Sequence, residues 1–204
     1  MTRRLGLFGG SFDPIHHGHI RPVQEARRQL RLDRVLFLPT AVPPHKPGRQ
    51  SASAHARYAM VELALLREEG LYVSPFELTI GRPAYSIDTL EHFHASEPQA
   101  TLHLLVGGDS FVELTTWKRW RDIVELARLA VLVRPNWHPE EIEQSSPPEL
   151  ADLAESGGVD FVANRPVGTS STELRKLLAS GAEPPDGAMP ALVLEYIRKY
   201  SLYQ

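Results

Sequence analysis

Short apolar runs that alternate with amphipathic stretches constrain this chain more than any other feature. Leu5–Phe8, Val35–Pro39, Leu71–Val73, Leu102–Gly107, Leu129–Val133 and Asp160–Val162 read as strands, and Gly18–Leu30, Ala54–Glu69 and Ser86–Ala95 as helices between the first four. That order predicts an α/β fold with a central, mostly parallel sheet and helices on both faces. In such sheets ligands bind beyond the carboxyl ends of the strands, near the switch in strand order. The turn after Phe8, the Pro-rich loop Pro39–Pro47, Gly107-Gly108-Asp109 and Arg134 all follow strands and can converge there. Met189–Tyr200 places Leu192, Tyr196 and Ile197 on one face and predicts a closing helix on the sheet. Pro135–Gly158, rich in prolines and acids, reads as a solvated connection with no chemistry of its own.

At 204 residues the chain can bury one substantial core, and it has no Ser/Gly-rich linker, so a single domain over 1–204 is expected. Hydrophobic residues at 42% and charged residues at 23% exclude a disordered or fibrous chain. A net charge of -3 supplies no global basic field for nucleic acid. With no cysteine there is neither a disulfide framework nor a thiolate nucleophile. No signal peptide or transmembrane-length run is evident, and the chain reads as soluble and cytoplasmic, with no nucleic-acid or membrane partner.

The chemistry concentrates in Gly9-Gly10-Ser11-Phe12-Asp13-Pro14-Ile15-His16-His17-Gly18-His19, which joins the first strand to the first helix. Gly9 and Gly10 let the backbone approach a ligand and take dihedrals that a Cβ would forbid. Free N–H groups at the opening of the helix, aided by its dipole, attract anions, and His16 and His19 add side-chain donors aimed at the same place. The turn therefore reads as a phosphate holder. Zinc is the competitor for a histidine cluster, but the chain lacks cysteine and has no His-Glu-x-x-His spacing, so no protein metal site is expected. The glycines do not make a dinucleotide fingerprint, and no Walker A lysine follows them.

Other segments are ambiguous by themselves. Thr169-Ser170-Ser171-Thr172-Glu173-Leu174-Arg175 is a plain helix cap on its own terms. Pro43-Pro44-His45-Lys46 is a surface turn, and Asp109 in Gly107-Gly108-Asp109-Ser110 a helix-capping carboxylate. Of Trp117 and Trp120, at least one belongs to the core.

Taken whole, Gly10-Ser11-Phe12-Asp13-Pro14-x-His16-x-Gly18-His19 resembles the G-x-F-D-P-x-H-x-G-H motif of the nucleotidyltransferase superfamily. Within it, the chain from the first strand to the C-terminus resembles the bacterial nicotinate-mononucleotide adenylyltransferases. The resemblance implies one Rossmann-like nucleotidyltransferase domain that joins ATP and nicotinate mononucleotide, releasing pyrophosphate, in NAD biosynthesis. It implies that Gly10, Ser11, Phe12, His16 and His19 meet the ATP phosphates, with His16 and His19 catalytic between the two substrates. Segment 169–175 resembles the family's I-S-S-T-x-x-R motif with Thr169 in place of isoleucine, which implies that Ser170, Ser171, Thr172 and Arg175 hold ATP, Arg175 catalytically on the leaving group.

By the same resemblance Gly107 and Asp109 contact the adenylate, Asp109 on its ribose. His45 and Lys46 meet the mononucleotide phosphate, with Lys46 standing where relatives carry arginine, a point charge in place of a fork. The segment holding Tyr85, Ser86 and Thr89 reads the nicotinate carboxylate through its backbone, Trp117 stacks on the pyridine ring, and Arg134 adds positive charge near the phosphates. Magnesium is expected to arrive with ATP. The alternatives are a phosphopantetheine or nicotinamide-mononucleotide adenylyltransferase and a non-catalytic nucleotide-binding regulator. Phosphopantetheine enzymes are shorter and typically carry threonine at the position of His16. The sequence leaves oligomeric state open.

Overall fold

In the computed structural model, β1 (Arg3–Gly10), β2 (Arg34–Pro39), β3 (Leu71–Val73), β4 (Ala100–Gly107), β5 (Ala127–Leu132) and β6 (Val159–Val162) form one sheet. Their order is β3-β2-β1-β4-β5-β6 and every neighbouring pair is parallel. The structure describes residues 2–41, 51–133, 147–164 and 167–204. The helices are α1 (His17–Gln29), α2 (Ala54–Leu65), α3 (Phe76–Thr79), α4 (Ser86–Ser96), α5 (Gly108–Val112), α6 (Trp120–Leu126), α7 (Pro148–Glu155), α8 (Ser171–Ala179) and α9 (Ala191–Lys199), with a 3-10 turn at Leu114–Thr116.

Alternation along the strands divides the core in two, because successive side chains of a strand point to opposite faces. Val35 and Phe37 of β2 join Leu105, Ala130 and Val162 under α1, α2, α8 and α9. Leu36 and Leu38 join Leu5, Leu7, Leu104 and Val131 under α4, α5, α6 and α7. The chain moves from β1 outward to β2 and β3, then crosses to β4 on the other side of β1. That reversal opens a crevice beyond the carboxyl ends of β1 and β4, where a doubly wound sheet binds its ligand.

The expected strands and main helices are all present, and the sheet is wholly parallel in its described part. Four details differ. α2 stops at Leu65, short of the expected Glu69, because the chain turns back into β3 through Gly70 at φ 75°. Segment 135–158 is not merely a solvated connection: α7 lies within it and drives Leu150 into the second core. The last helix buries Val193 and Ile197 in the same core as Met60 and Val61 of α2, with Tyr196 packed at its edge and Leu192 only half-buried outside it. The helix rides on α2 because its apolar stripe runs through Val193, where the sequence reading placed Leu192. α3 and α6, at four and seven residues, are too short to show a periodic signal. Among the described residues no helix is long and apolar enough to cross a membrane.

Candidate active site

The glycine turn leaves β1 at the centre of the sheet and enters α1 at the switch point. Neither Gly9 nor Gly10 has a left-handed backbone, contrary to the sequence reading; that conformation belongs to Phe12, at φ 46°. Gly10 is required for a different reason, since a Cβ there would lie 2.8 Å from the Phe12 ring. The ring is 1% exposed and packs against Phe8, Phe37 and the edge of His19. Packing of this kind holds a strained backbone in place. Among the described residues, a Cβ on Gly9 would meet nothing within 4 Å, which leaves room between them above the strand end.

His16 and His19 make a reciprocal helix cap. The Gly18 N–H donates to His16 Nδ1 at 3.0 Å, and the His16 N–H donates to His19 Nδ1 at 3.3 Å. A backbone N–H can only donate, so Nδ1 is the acceptor in both rings and the proton of each neutral imidazole sits on Nε2. The rings lie 3.9 Å apart, and His16 is buried while His19 is half-buried. Gly18 is forced by the same arrangement: a Cβ would stand 2.8 Å from the His16 ring and 3.1 Å from the Thr169 carbonyl. The N–H of His17 donates to Ala188 O and that of His19 to His16 O. The N–H groups that open α1 are thus already engaged, a correction to the expectation that they stand free for an anion. Two imidazoles stand at that opening in their place.

The second helix opening lies against the first. Ser171 Oγ donates to the Pro14 carbonyl at 3.0 Å. Ser170 caps α8, accepting from the Glu173 N–H at 3.2 Å and donating to the Glu173 carboxylate at 2.8 Å. The Ser170 and Ser171 hydroxyl protons are therefore committed within the protein, and the first-turn N–H groups of Ser171 and Thr172 stand at the opening of α8. Arg175 reaches back one turn as expected, but its Nη1 donates to the Asp13 carbonyl and its Nη2 to Thr172 Oγ1 at 3.2 Å. Its charge stands between the two helix N-termini.

Gly107 opens α5 at the carboxyl end of β4, and Asp109 is exposed in the first turn of that helix. Tyr85 precedes α4 with its ring half exposed, and the Lys118 ammonium lies 4.4 Å above that ring. Trp117, the residue before Lys118, is half-buried against the second core. The Tyr85 N–H donates to the Asp88 carboxylate at 3.0 Å, and Arg82, donating at 2.8 Å, holds Asp88 down at about 2. This leaves the N–H groups of Ser86 and Ile87 at the opening of α4. Thr89 is buried, and its hydroxyl donates inward to Glu77 at 3.1 Å. Burial pushes the Glu77 carboxyl up to about 7, partly offset by the Thr89 hydroxyl, while the nearby Asp88 charge pushes it further up.

His45, Lys46 and Arg134 lie outside the described residues. Sequence reasoning missed three groups that shape the site: Asp13 as a hub, the buried Glu77, and Arg57. Arg57 is 1% exposed and donates to the Ser11 and Thr40 carbonyls, each at 2.6 Å, and to Ala52 O at 3.2 Å. A signal for it existed, because Arg57, Met60, Val61 and Ala64 share one helical stripe, and an arginine in an apolar stripe needs internal acceptors. Among the described residues no group of three His, Asp or Glu side chains could hold a metal ion. A hollow of about 550 Å³ lined by Arg3, Arg4, Arg34, Tyr72 and Glu97 lies at the amino ends of the strands, the wrong end of a parallel sheet for its ligand.

Comparison with known proteins agrees with this geometry. A family model described as Cytidylyltransferase-like matches residues 7–177. A protein of Aeromonas salmonicida named "Probable nicotinate-nucleotide adenylyltransferase" is 38% identical, covering 98% of this chain and 97% of its own length. One of Pseudomonas aeruginosa with the same name is 39% identical, covering 100% and 99%. Among solved structures, the nicotinic acid mononucleotide adenylyltransferase of Plasmodium falciparum complexed with NaAD superposes with a TM-score of 0.79 at 18% identity, covering 98% of this chain and 97% of that one. At that identity the superposition speaks to the fold.

Proposed function

We infer that this chain, which belongs to the cytidylyltransferase-like family and within it to the nicotinate-nucleotide adenylyltransferases, carries out adenylyl transfer at the crevice between β1 and β4. The enzyme joins ATP and nicotinate mononucleotide to give nicotinate adenine dinucleotide and pyrophosphate, a step of NAD biosynthesis. The whole chain is read as one catalytic domain. A cytoplasmic location fits its use of ATP and its lack of cysteine.

The observation that carries the assignment of roles is the paired cap. A phosphate oxygen of the mononucleotide attacks the α-phosphorus of ATP in line, the bond from that phosphorus to the bridging oxygen breaks, and pyrophosphate departs. No protein nucleophile takes part, so catalysis is positioning and charge stabilisation. His16 and His19, with the proton on Nε2, donate to the phosphate oxygens on which charge grows. Ser171 and Thr172 offer backbone N–H groups to the departing phosphates, with Arg175 supplying charge beside them. Gly10 and the open space above Gly9 admit the triphosphate past Ser11 and Phe12, and Gly107 and Asp109 receive the adenylate. On the other side, Tyr85, Ser86 and Trp117 take the nicotinate ring and its carboxylate, with His45, Lys46 and Arg134 reserved for the mononucleotide phosphate and nearby charge. Thr89 serves by holding the α4 opening in place.

Magnesium travels with ATP in this scheme, an ion that keeps its waters and binds through substrate phosphates. Bound with ATP, it would neutralise triphosphate charge. The test is the fate of label: phosphorus-32 at the α-position of ATP should appear in the dinucleotide and label at the γ-position in pyrophosphate. Label transferred to the protein, or release of inorganic phosphate, would rule the reading out.

A further inference from the structure

We propose that the C-terminal tail belongs to the catalytic apparatus, with Tyr203 as a positioning residue that sets the phosphate-binding turn through Asp13. The Tyr203 hydroxyl donates to Asp13 Oδ1 at 2.7 Å across 190 positions of sequence. The same oxygen accepts the Ala52 N–H at 3.1 Å, from the segment leading into α2. Asp13 Oδ2 lies 3.7 Å from Arg175 Nη1, whose guanidinium also takes the Asp13 carbonyl. One carboxylate, three residues before His16, thus ties the tail, the α2 entry and α8 to the turn. Arg57 closes the arrangement from below through the carbonyl of Ser11.

The tail reaches this point by a shaped path. Ser201, at φ 48°, turns the chain out of α9, and the Leu202 N–H returns to Ile197 O at 3.0 Å, a helix-ending motif that glycine ordinarily supplies. Tyr203 itself is left-handed at φ 69°. Two non-glycine residues in that region within three positions are a cost that persists only where surrounding contacts impose it. Those contacts are the burial of the Tyr203 ring in the core that also holds Phe12 and Ile15. Burial and the Asp13 charge push the phenol far above its ordinary range, so it donates at every working pH.

The Asp13 carboxylate is engaged by Tyr203, Ala52 and Arg175, and Tyr203 meets no substrate in this scheme; both act through His16 and the turn. Removing only the hydroxyl leaves the ring packed and frees one side of Asp13. A small shift of the turn then moves the imidazoles relative to the α-phosphorus, where misplacement on the order of 1 Å costs about 10²-fold in rate.

This inference rests on the assignment of the turn to phosphate binding, so formation of nicotinate adenine dinucleotide by the unaltered enzyme is the control. Tyr203→Phe should stay folded by circular dichroism, lose roughly 10–100-fold in kcat, and change KM for either substrate by less than about threefold. In an Asp13→Ala background the same change should cost nothing further, because its effect runs through that carboxylate. Asp13→Asn, which keeps an oxygen for the hydroxyl, should retain at least tenfold more turnover than Asp13→Ala, and this comparison stands even if Tyr203→Phe does not fold. A folded Tyr203→Phe enzyme with normal kcat, an undiminished effect in the Asp13→Ala background, or equal turnover for Asp13→Asn and Asp13→Ala would overturn the proposal. No product from the unaltered enzyme would instead overturn the functional reading beneath it.

Discussion

His16 and His19 cap one helix between them: the N–H of His16 rests on the His19 ring, while the His16 ring takes the N–H of Gly18. The consequence is that structural and chemical roles fall on different nitrogens of each imidazole. Asparagine is a good N-cap and places its amide oxygen near the position of Nδ1, so His16→Asn should preserve the cap and lose the Nε2 donor. Turnover is expected to fall about 10²–10³-fold, as for one oxyanion donor, with Tm near that of the unaltered protein. His19→Ala should cost a similar factor. His17→Ala should cost little, since the His17 contact with Ala188 is made by its main chain. A ranking with His17 foremost, or near-normal turnover in folded His16→Asn, would count against the two-donor clamp.

Trp117 sits half-buried against the second core, one residue before Lys118, whose ammonium lies over the Tyr85 ring. If its ring stacks on the pyridine, Trp117→Ala should raise KM for the mononucleotide by an amount equivalent to roughly 1–3 kcal/mol and leave KM for ATP nearly unchanged. Equal rises in both would show that Trp117 only packs the core.

Glu77 offers a test of the buried pair beneath α4. Its folded value of about 7 stands above the ordinary 4.5, so the folded state binds the proton more tightly than the unfolded chain does. Its contribution to stability is full below the ordinary value and is lost as pH rises through about 7, on the order of 3 kcal/mol across that window at about 1.4 kcal/mol per unit. Glu77→Gln, neutral at every pH and still an acceptor for Thr89, should gain in Tm over the unaltered protein at pH 8 relative to pH 5. Parallel Tm curves for the two proteins would contradict a neutral Glu77 in the folded state.

The strand pattern and the two helix-opening motifs were legible because each is local: a period of two, a glycine beside a histidine pair, a cap beside an arginine. The space that Gly10 and Gly18 leave for the rings of Phe12 and His16 was not legible, because such neighbours are visible only in three dimensions. Glu77, the buried partner of Thr89, was not legible because it lies on a four-residue helix with no periodicity to announce it. The Asp13–Tyr203 pair was invisible for a related reason: no spacing rule links positions 190 apart.

The central claim is the choice of substrate, and it is tested most directly by catalytic efficiency under one condition. With saturating magnesium-ATP and pyrophosphate release as the signal, kcat/KM is measured for nicotinate mononucleotide, nicotinamide mononucleotide and 4′-phosphopantetheine on the same preparation. The account predicts the highest value for nicotinate mononucleotide, because the N–H groups opening α4 favour a carboxylate over an amide. Equal or reversed efficiencies for the two mononucleotides, or activity with phosphopantetheine alone, would contradict it.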